Sequence, residues 1–162
     1  MNEMTLLLAD GLPFDFTHAA IRLLHIGAAM LAVGGAVFQL TALHPALQTL
    51  EPDRRRDFRE SVVGRWSMIV FVCIGLLLIS GLYNFVAVKI PLLKEHPSKG
   101  LYHGLFGLKF LLALASFHAA AVLAMPGSRG EKYRDNAGFW LKYLVITLTL
   151  VFLVAVLLGS FR

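Results

Sequence analysis

The chain has 162 residues, 57% of them hydrophobic and 15% charged, with a mean hydropathy of +0.71. A soluble domain of this length carries more charge and shorter apolar runs, and the short connections leave no room for a separate soluble catalytic domain. The formal net charge of +5 is concentrated in short loops beside apolar stretches. That distribution points to membrane orientation and excludes nucleic-acid binding as its explanation.

The lead over 1–17 is acidic through Glu3, Asp10 and Asp15 and is interrupted by Gly11-Leu12-Pro13. It lacks the basic start and small-residue cleavage site of a secretory signal. Thr5 to Ala9 is compatible with a short helix at the membrane surface. Four apolar stretches follow, at 18–43, 62–88, 101–124 and 138–160. Each reaches the roughly 20 residues a helix needs to cross the hydrocarbon. Backbone groups at that depth must bond internally, so each stretch is expected to be helical. His44-Pro45 is expected to end the first helix, because proline disfavours helical geometry in the residue before it. Pro91 follows the second span, Pro97-Ser98-Lys99-Gly100 precedes the third, and Met125-Pro126-Gly127-Ser128 closes it. Short connections favour an all-α, integral-membrane, antiparallel four-helix bundle forming one domain over 1–162.

The first loop holds Arg54, Arg55, Arg56 and Arg59, with Arg65 just beyond, and the third holds Arg129, Lys132 and Arg134, with Lys142 following. The opposite side offers Arg22, Lys89, Lys94, Lys99 and Arg162. This bias places the arginine-rich loops in the cytoplasm and both termini outside. The loop arginines Arg54 to Arg56 are expected to serve orientation and lipid headgroups. The one cysteine, Cys73, lies mid-span and reads as a small buried apolar residue. Glycines recur in the first three spans (Gly27, Gly34, Gly35, Gly75, Gly81, Gly104, Gly107). Such residues let helix backbones approach closely in lipid.

Ionisable groups inside the apolar stretches carry the functional reading, since lipid drives them toward the bundle interior. At about 100° per residue, His18, Arg22, His25, Ala32 and Gln39 share one stripe of the first helix, and Trp66, Cys73, Ser80 and Asn84 share one of the second. In the third, His103, Gly107, Leu114 and His118 fall in a broad arc, while Lys109 lies nearly opposite His118. His25 and Lys109 both lie on the order of 12 Å in from the outer end. An outer polar layer results (His18, Arg22, His25, Asn84, His103, Lys109) and an inner one (His44, Trp66, His118). The fourth helix carries little: Thr147 and Thr149 can bond their own backbone, and Trp140 and Tyr143 suit an interfacial belt.

Neutral imidazole is the commonest protein metal ligand and the usual axial ligand of haem. His25 with His103 forms the outer candidate pair and His44 with His118 the inner one. His25, His103 and His118 are the candidate metal ligands, and Arg22 or Lys109 would hold carboxylates. The same imidazoles could take copper, although scattered Met30, Met68 and Met125 give no sulfur cluster for Cu(I).

The segment Arg22-Leu-Leu-His25-Ile-Gly-Ala-Ala-Met-Leu-Ala-Val-Gly34-Gly35-Ala-Val-Phe38 resembles the first helix of a membrane superfamily. That superfamily groups the copper resistance protein D family with the HemJ-type protoporphyrinogen oxidases. Leu108-Lys109-Phe110 followed by His118 is similar to the lysine-then-histidine pattern of the oxidase branch, and His44 lies about where that branch has another histidine. The resemblance covers the whole four-helix chain through short motifs, with Ala32-Val33 where a tryptophan usually precedes the glycine pair. It implies a haem b protein of the plasma membrane with His25 and Lys109 as functional positions, and it allows a copper-linked role by the other branch.

These readings converge on a haem-b-binding redox protein. It would oxidise a porphyrinogen-like substrate, with Lys109 in the catalytic role, or relay electrons to a quinone or respiratory electron-transfer protein. His25, His103, His118, His44, Arg22 and Asn84 would line the cofactor. Copper transport and a structural subunit of a membrane complex are the alternatives. Membrane lipids are expected partners, and a homo-oligomer is compatible with the sequence.

Overall fold

The computed structural model describes residues 16–92 and 98–160. The proposed surface helix over Thr5 to Ala9 lies outside the described residues, as do Lys94 and Arg162. Helix α1 (Phe16–Phe38) runs through a π-helical turn (Gln39–Leu43) into α2 (His44–Gln48). Helix α3 (Pro52–Tyr83) likewise runs through a π-helical turn (Asn84–Lys89) into α4 (Ile90–Leu92). Then follow α5 (Lys99–Ala124), the short α6 (Ser128–Arg134) and α7 (Ala137–Gly159). Four continuous runs are long and apolar enough to cross a membrane: Phe16–Gln48, Pro52–Lys89, Lys99–Ala124 and Ala137–Gly159. The molecule is an all-α membrane helical bundle, with no strand among the described residues.

His44-Pro45 does not end the first helix. Proline lacks an N–H, and its ring collides with the carbonyl one turn back in a regular α-helix. Here the turn just before it widens, and the His44 N–H bonds the Gln39 carbonyl five residues back. The same device precedes Pro91, where the Ile90 N–H reaches the Phe85 carbonyl. Widened turns of this kind let a helix pass a residue that α-geometry rejects.

Consecutive spans pack as antiparallel hairpins. α5 against α7 is the most extensive contact, α1 against α3 the next, and thinner contacts between α3 and α5 and between α1 and α7 close the ring. Small residues set the α5–α7 approach. Ala119 and Ser116 are fully enclosed, and Ala36 and Leu144 complete that part of the core. Nearer the other end, Tyr102, Val154 and Leu158 pack beneath Phe85 and Phe106, whose rings stack at 3.6 Å. Between α5 and α7 the Ser116 hydroxyl donates to Thr147 Oγ1 at 2.9 Å, and Thr147 donates to the Tyr143 carbonyl of its own helix. The outer surface is the reverse of a soluble protein. Leu23, Met30, Met68 and Ile79 are each at least 70% exposed. Apolar surface in such quantity fits contact with lipid.

Only some glycines serve close packing. A Cβ on Gly27, Gly34, Gly75, Gly104 or Gly107 would meet nothing within 4 Å. Gly35, Gly81 and Gly138 instead face a neighbouring span, and what they face is Trp66, His25 and His44 respectively. The glycines that matter for helix approach are the seats of large polar or aromatic side chains.

Candidate functional site

The outer site is built on α1 and α3. His25 is half-buried, and its Nδ1 lies 2.7 Å from the Ser80 hydroxyl oxygen. That hydroxyl also bonds the Leu76 carbonyl, the usual back-bond of a serine inside a helix. A hydroxyl has one proton, and the carbonyl can only accept. Ser80 therefore gives its proton to Leu76 and accepts the Nδ1–H of His25. The consequence is a fixed tautomer, with the lone pair on Nε2. The ring lies close enough to α3 that a Cβ on Gly81 would sit 3.5 Å from Cε1. Lys109, half-buried on α5, is a cation whose charge acts on this imidazole. His25 and Ser80 thus meet from two helices, with the charge of Lys109 reaching the imidazole from a third.

The other outer candidates are placed differently. His103 is exposed in the first turns of α5, where its Nδ1–H is donated to the Lys99 carbonyl at 2.6 Å. Its ring meets Phe85 edge-on at 5.8 Å between centroids. The ring thus leans on the π-helical turn that continues α3, with Nδ1 engaged and Nε2 without a hydrogen bond among the described residues. Asn84 opens the π-helical turn and donates its amide to the Ser80 carbonyl at 3.0 Å. Arg22 is exposed, contrary to the inward stripe expected of it. It lies near the end of its span, where a long cationic side chain reaches the headgroup level.

The inner pair does not assemble. His44 Nε2 would lie 3.1 Å from a Cβ on Gly138, whereas the His118 ring meets the Trp140 edge at 6.1 Å. Gly138 and Trp140 are two residues apart on α7, about 200° of rotation, so the histidines lie on opposite sides of that helix. His118 is exposed and joins an aromatic belt in which Trp140 also touches Tyr133, Phe139 and Tyr143. At ~1.5 Å per residue, His118 is about 22 Å along α5 from His103.

His44 belongs instead to a cavity of about 190 Å³ at the arginine-rich end, lined by Gln39, Trp66, Leu123 and Leu141, with Arg59 and Arg134 also on its wall. A smaller void of about 40 Å³ shares Gln39, Trp66 and Leu123 and continues toward mid-bundle past buried Cys73. Sequence reading assigned the loop arginines to orientation, yet two of them are clasps. Arg55 donates to the Gln48 and Leu50 carbonyls at 3.1 Å each, and Arg134 donates to the Met125 and Gly127 carbonyls. Both satisfy backbone acceptors left over where helices end. Arg59 was also missed as a cavity residue. A signal existed, since Arg59, Trp66, Cys73 and Ser80 follow one another at seven-residue steps.

Among the described residues no three His, Cys, Asp or Glu side chains gather as a metal site. No family model, curated protein or solved structure matches the chain.

Proposed function

We propose that this chain is a haem-b-binding redox protein of the plasma (inner) membrane. In this reading its arginine-rich loops lie in the cytoplasm and its termini outside. The observation that carries the reading is His25: a ring deep in a span, locked through Nδ1 onto Ser80, with Nε2 left as a donor. Metal-binding histidines usually have the second ring nitrogen held in this way. The residues present fit haem better than a metal held by side chains alone. A macrocycle brings four nitrogens of its own and asks the protein for only one or two imidazoles, and no larger donor cluster forms among the described residues.

His25 would hold the iron, and His103, with its own Nδ1 anchored at the same end of the bundle, is the second ligand the arrangement favours. Lys109 would pair with a propionate or a substrate carboxylate by a charge-assisted contact, and Arg22 would do so at the headgroup level. Bound haem supplies a one-electron iron couple. Ser80 fixes the ligand tautomer, Gly81 seats the ring, and the surrounding apolar residues exclude water. Oxidation of a porphyrinogen-like substrate and electron relay to a quinone or respiratory protein are both reactions of that couple.

The test is an absorption spectrum, oxidised and dithionite-reduced, of detergent-purified protein, with iron and copper analysis of the same sample. A Soret band with sharp reduced bands, lost in His25→Ala, is the expected result. A colourless protein from haem-replete cells overturns the proposal, as does full haem retention by His25→Ala.

A further inference from the structure

The cavity at the arginine-rich end has no part in the haem reading, and its chemistry points elsewhere. Its walls are apolar and aromatic, contributed by all four spans, among them Phe38, Trp66, Leu123 and Leu141. Its mouth is cationic. Arg59 lines it, Arg55 and Arg134 lie near enough for their charges to act on Arg59, and Lys142 acts with Arg55 and Arg59 on His44. Asp135 is the one carboxylate whose charge reaches Arg59 among the described residues. Arg55 and Arg134 are engaged by backbone carbonyls. Arg59 is half-buried and has no hydrogen bond or ion pair among the described residues. A guanidinium with five donors, partly withdrawn from water at the head of an apolar cavity, is suited to an oxyanion.

Size narrows the ligand. Pockets that enclose a drug-sized molecule run to roughly 300–1,000 Å³, and this one holds about 190 Å³. A macrocycle does not fit within it. A linear chain suits it better, because the narrower void of about 40 Å³ shares Gln39, Trp66 and Leu123 with the cavity and extends its apolar lining toward Cys73. We propose that this cavity binds one acyl chain of an anionic amphiphile, the chain lying against Trp66 and the oxyanion resting on Arg59. The shared chemistry, an acyl chain ending in a carboxylate or phosphate, can come from a free fatty acid or from an anionic phospholipid.

The chain contains two tryptophans, so Trp140→Phe leaves Trp66 as the single fluorophore. The full-length variant is placed in nanodiscs of zwitterionic lipid and titrated with dibromostearate, its methyl ester, and a dibrominated lysophosphatidylglycerol, since bromine quenches tryptophan on contact. Saturable quenching by the acid is expected, with half-saturation at least about ten-fold higher for the ester, the difference a charge-assisted contact makes. Arg59→Gln should raise the acid's half-saturation by a similar factor. Saturable quenching by the lysolipid alone assigns the site to membrane phospholipid, and by the fatty acid alone to a free acid. Quenching that climbs with mole fraction regardless of headgroup is bulk lipid contact and overturns the proposal, as does an unchanged titration in Arg59→Gln. If Arg59→Gln fails to fold by circular dichroism, the acid-against-ester comparison in the Arg59 protein decides alone.

Discussion

The tautomer of His25 is set by a serine that sequence periodicity places on the right stripe without revealing its purpose. Seven-residue steps bring Ser80 and Cys73 to one face of α3, and both are buried. That a hydroxyl would be committed to the Leu76 carbonyl, and so act only as an acceptor toward His25, depends on the rotation of α1 against α3 and on one side-chain torsion. Neither is encoded in spacing. The Ser80→Ala variant separates orientation from ligation. It leaves the imidazole present and removes its anchor, so haem affinity should fall by about 10–100-fold, the usual effect of losing such a support, while helicity is unchanged. Haem titration monitored at the Soret band measures this, and undiminished affinity would remove Ser80 from the site. The exposure of His103 and His118 was illegible for a related reason. Each finds a local partner, the Lys99 carbonyl in one case and the Trp140 ring in the other.

At the scale of elements, the spans were legible because lipid imposes length and composition directly. Their ends were legible only where chemistry leaves one solution. Met125-Pro126-Gly127 breaks the chain as expected, with Gly127 at a φ of 73° that side-chain-bearing residues rarely adopt. His44-Pro45 and Pro91 mark continuations instead, because a π-helical turn ahead of each proline absorbs the ring. Two predictions belong here. A Cβ on Gly130 would run into the Met125 carbonyl, the same acceptor that Arg134 clasps. Gly130→Ala should therefore destabilise the α5–α6 turn by about 1–3 kcal/mol, the usual range for overpacking, and lower the melting temperature. Between α5 and α7, a double-mutant cycle of Ser116→Ala and Thr147→Val, followed by unfolding in dodecyl sulfate, should give a coupling of about 0.6 kcal/mol. A coupling near zero would mean that the hydroxyl pair fills space without holding the helices.

For the whole molecule, charge asymmetry orders the loops while packing divides the bundle. Arg129 is exposed on α6, between the third and fourth spans, so Arg129→Cys in a Cys73→Ala background should be labelled by a membrane-impermeant maleimide only in inside-out vesicles. Labelling from the extracytoplasmic face would reverse the proposed topology. The composition that identifies the spans says nothing of which pairs pack tightly, since helices of similar hydropathy are interchangeable on that score. The structure answers through small side chains at α5–α7 and through the Gly35–Trp66 contact at α1–α3.

Each hairpin also carries its own hydrogen bond between spans, His25 to Ser80 in the first and Ser116 to Thr147 in the second. This bears on biosynthesis. A nascent helix bearing a lone imidazole or hydroxyl enters lipid at a cost that falls once a partner is in place. His25 meets Ser80 as soon as the next span emerges, and Ser116 meets Thr147 likewise. The chain can therefore leave the insertion machinery as two successive helical pairs, each with these polar groups already matched. The join between the pairs is then left to the last and most weakly packed step of assembly.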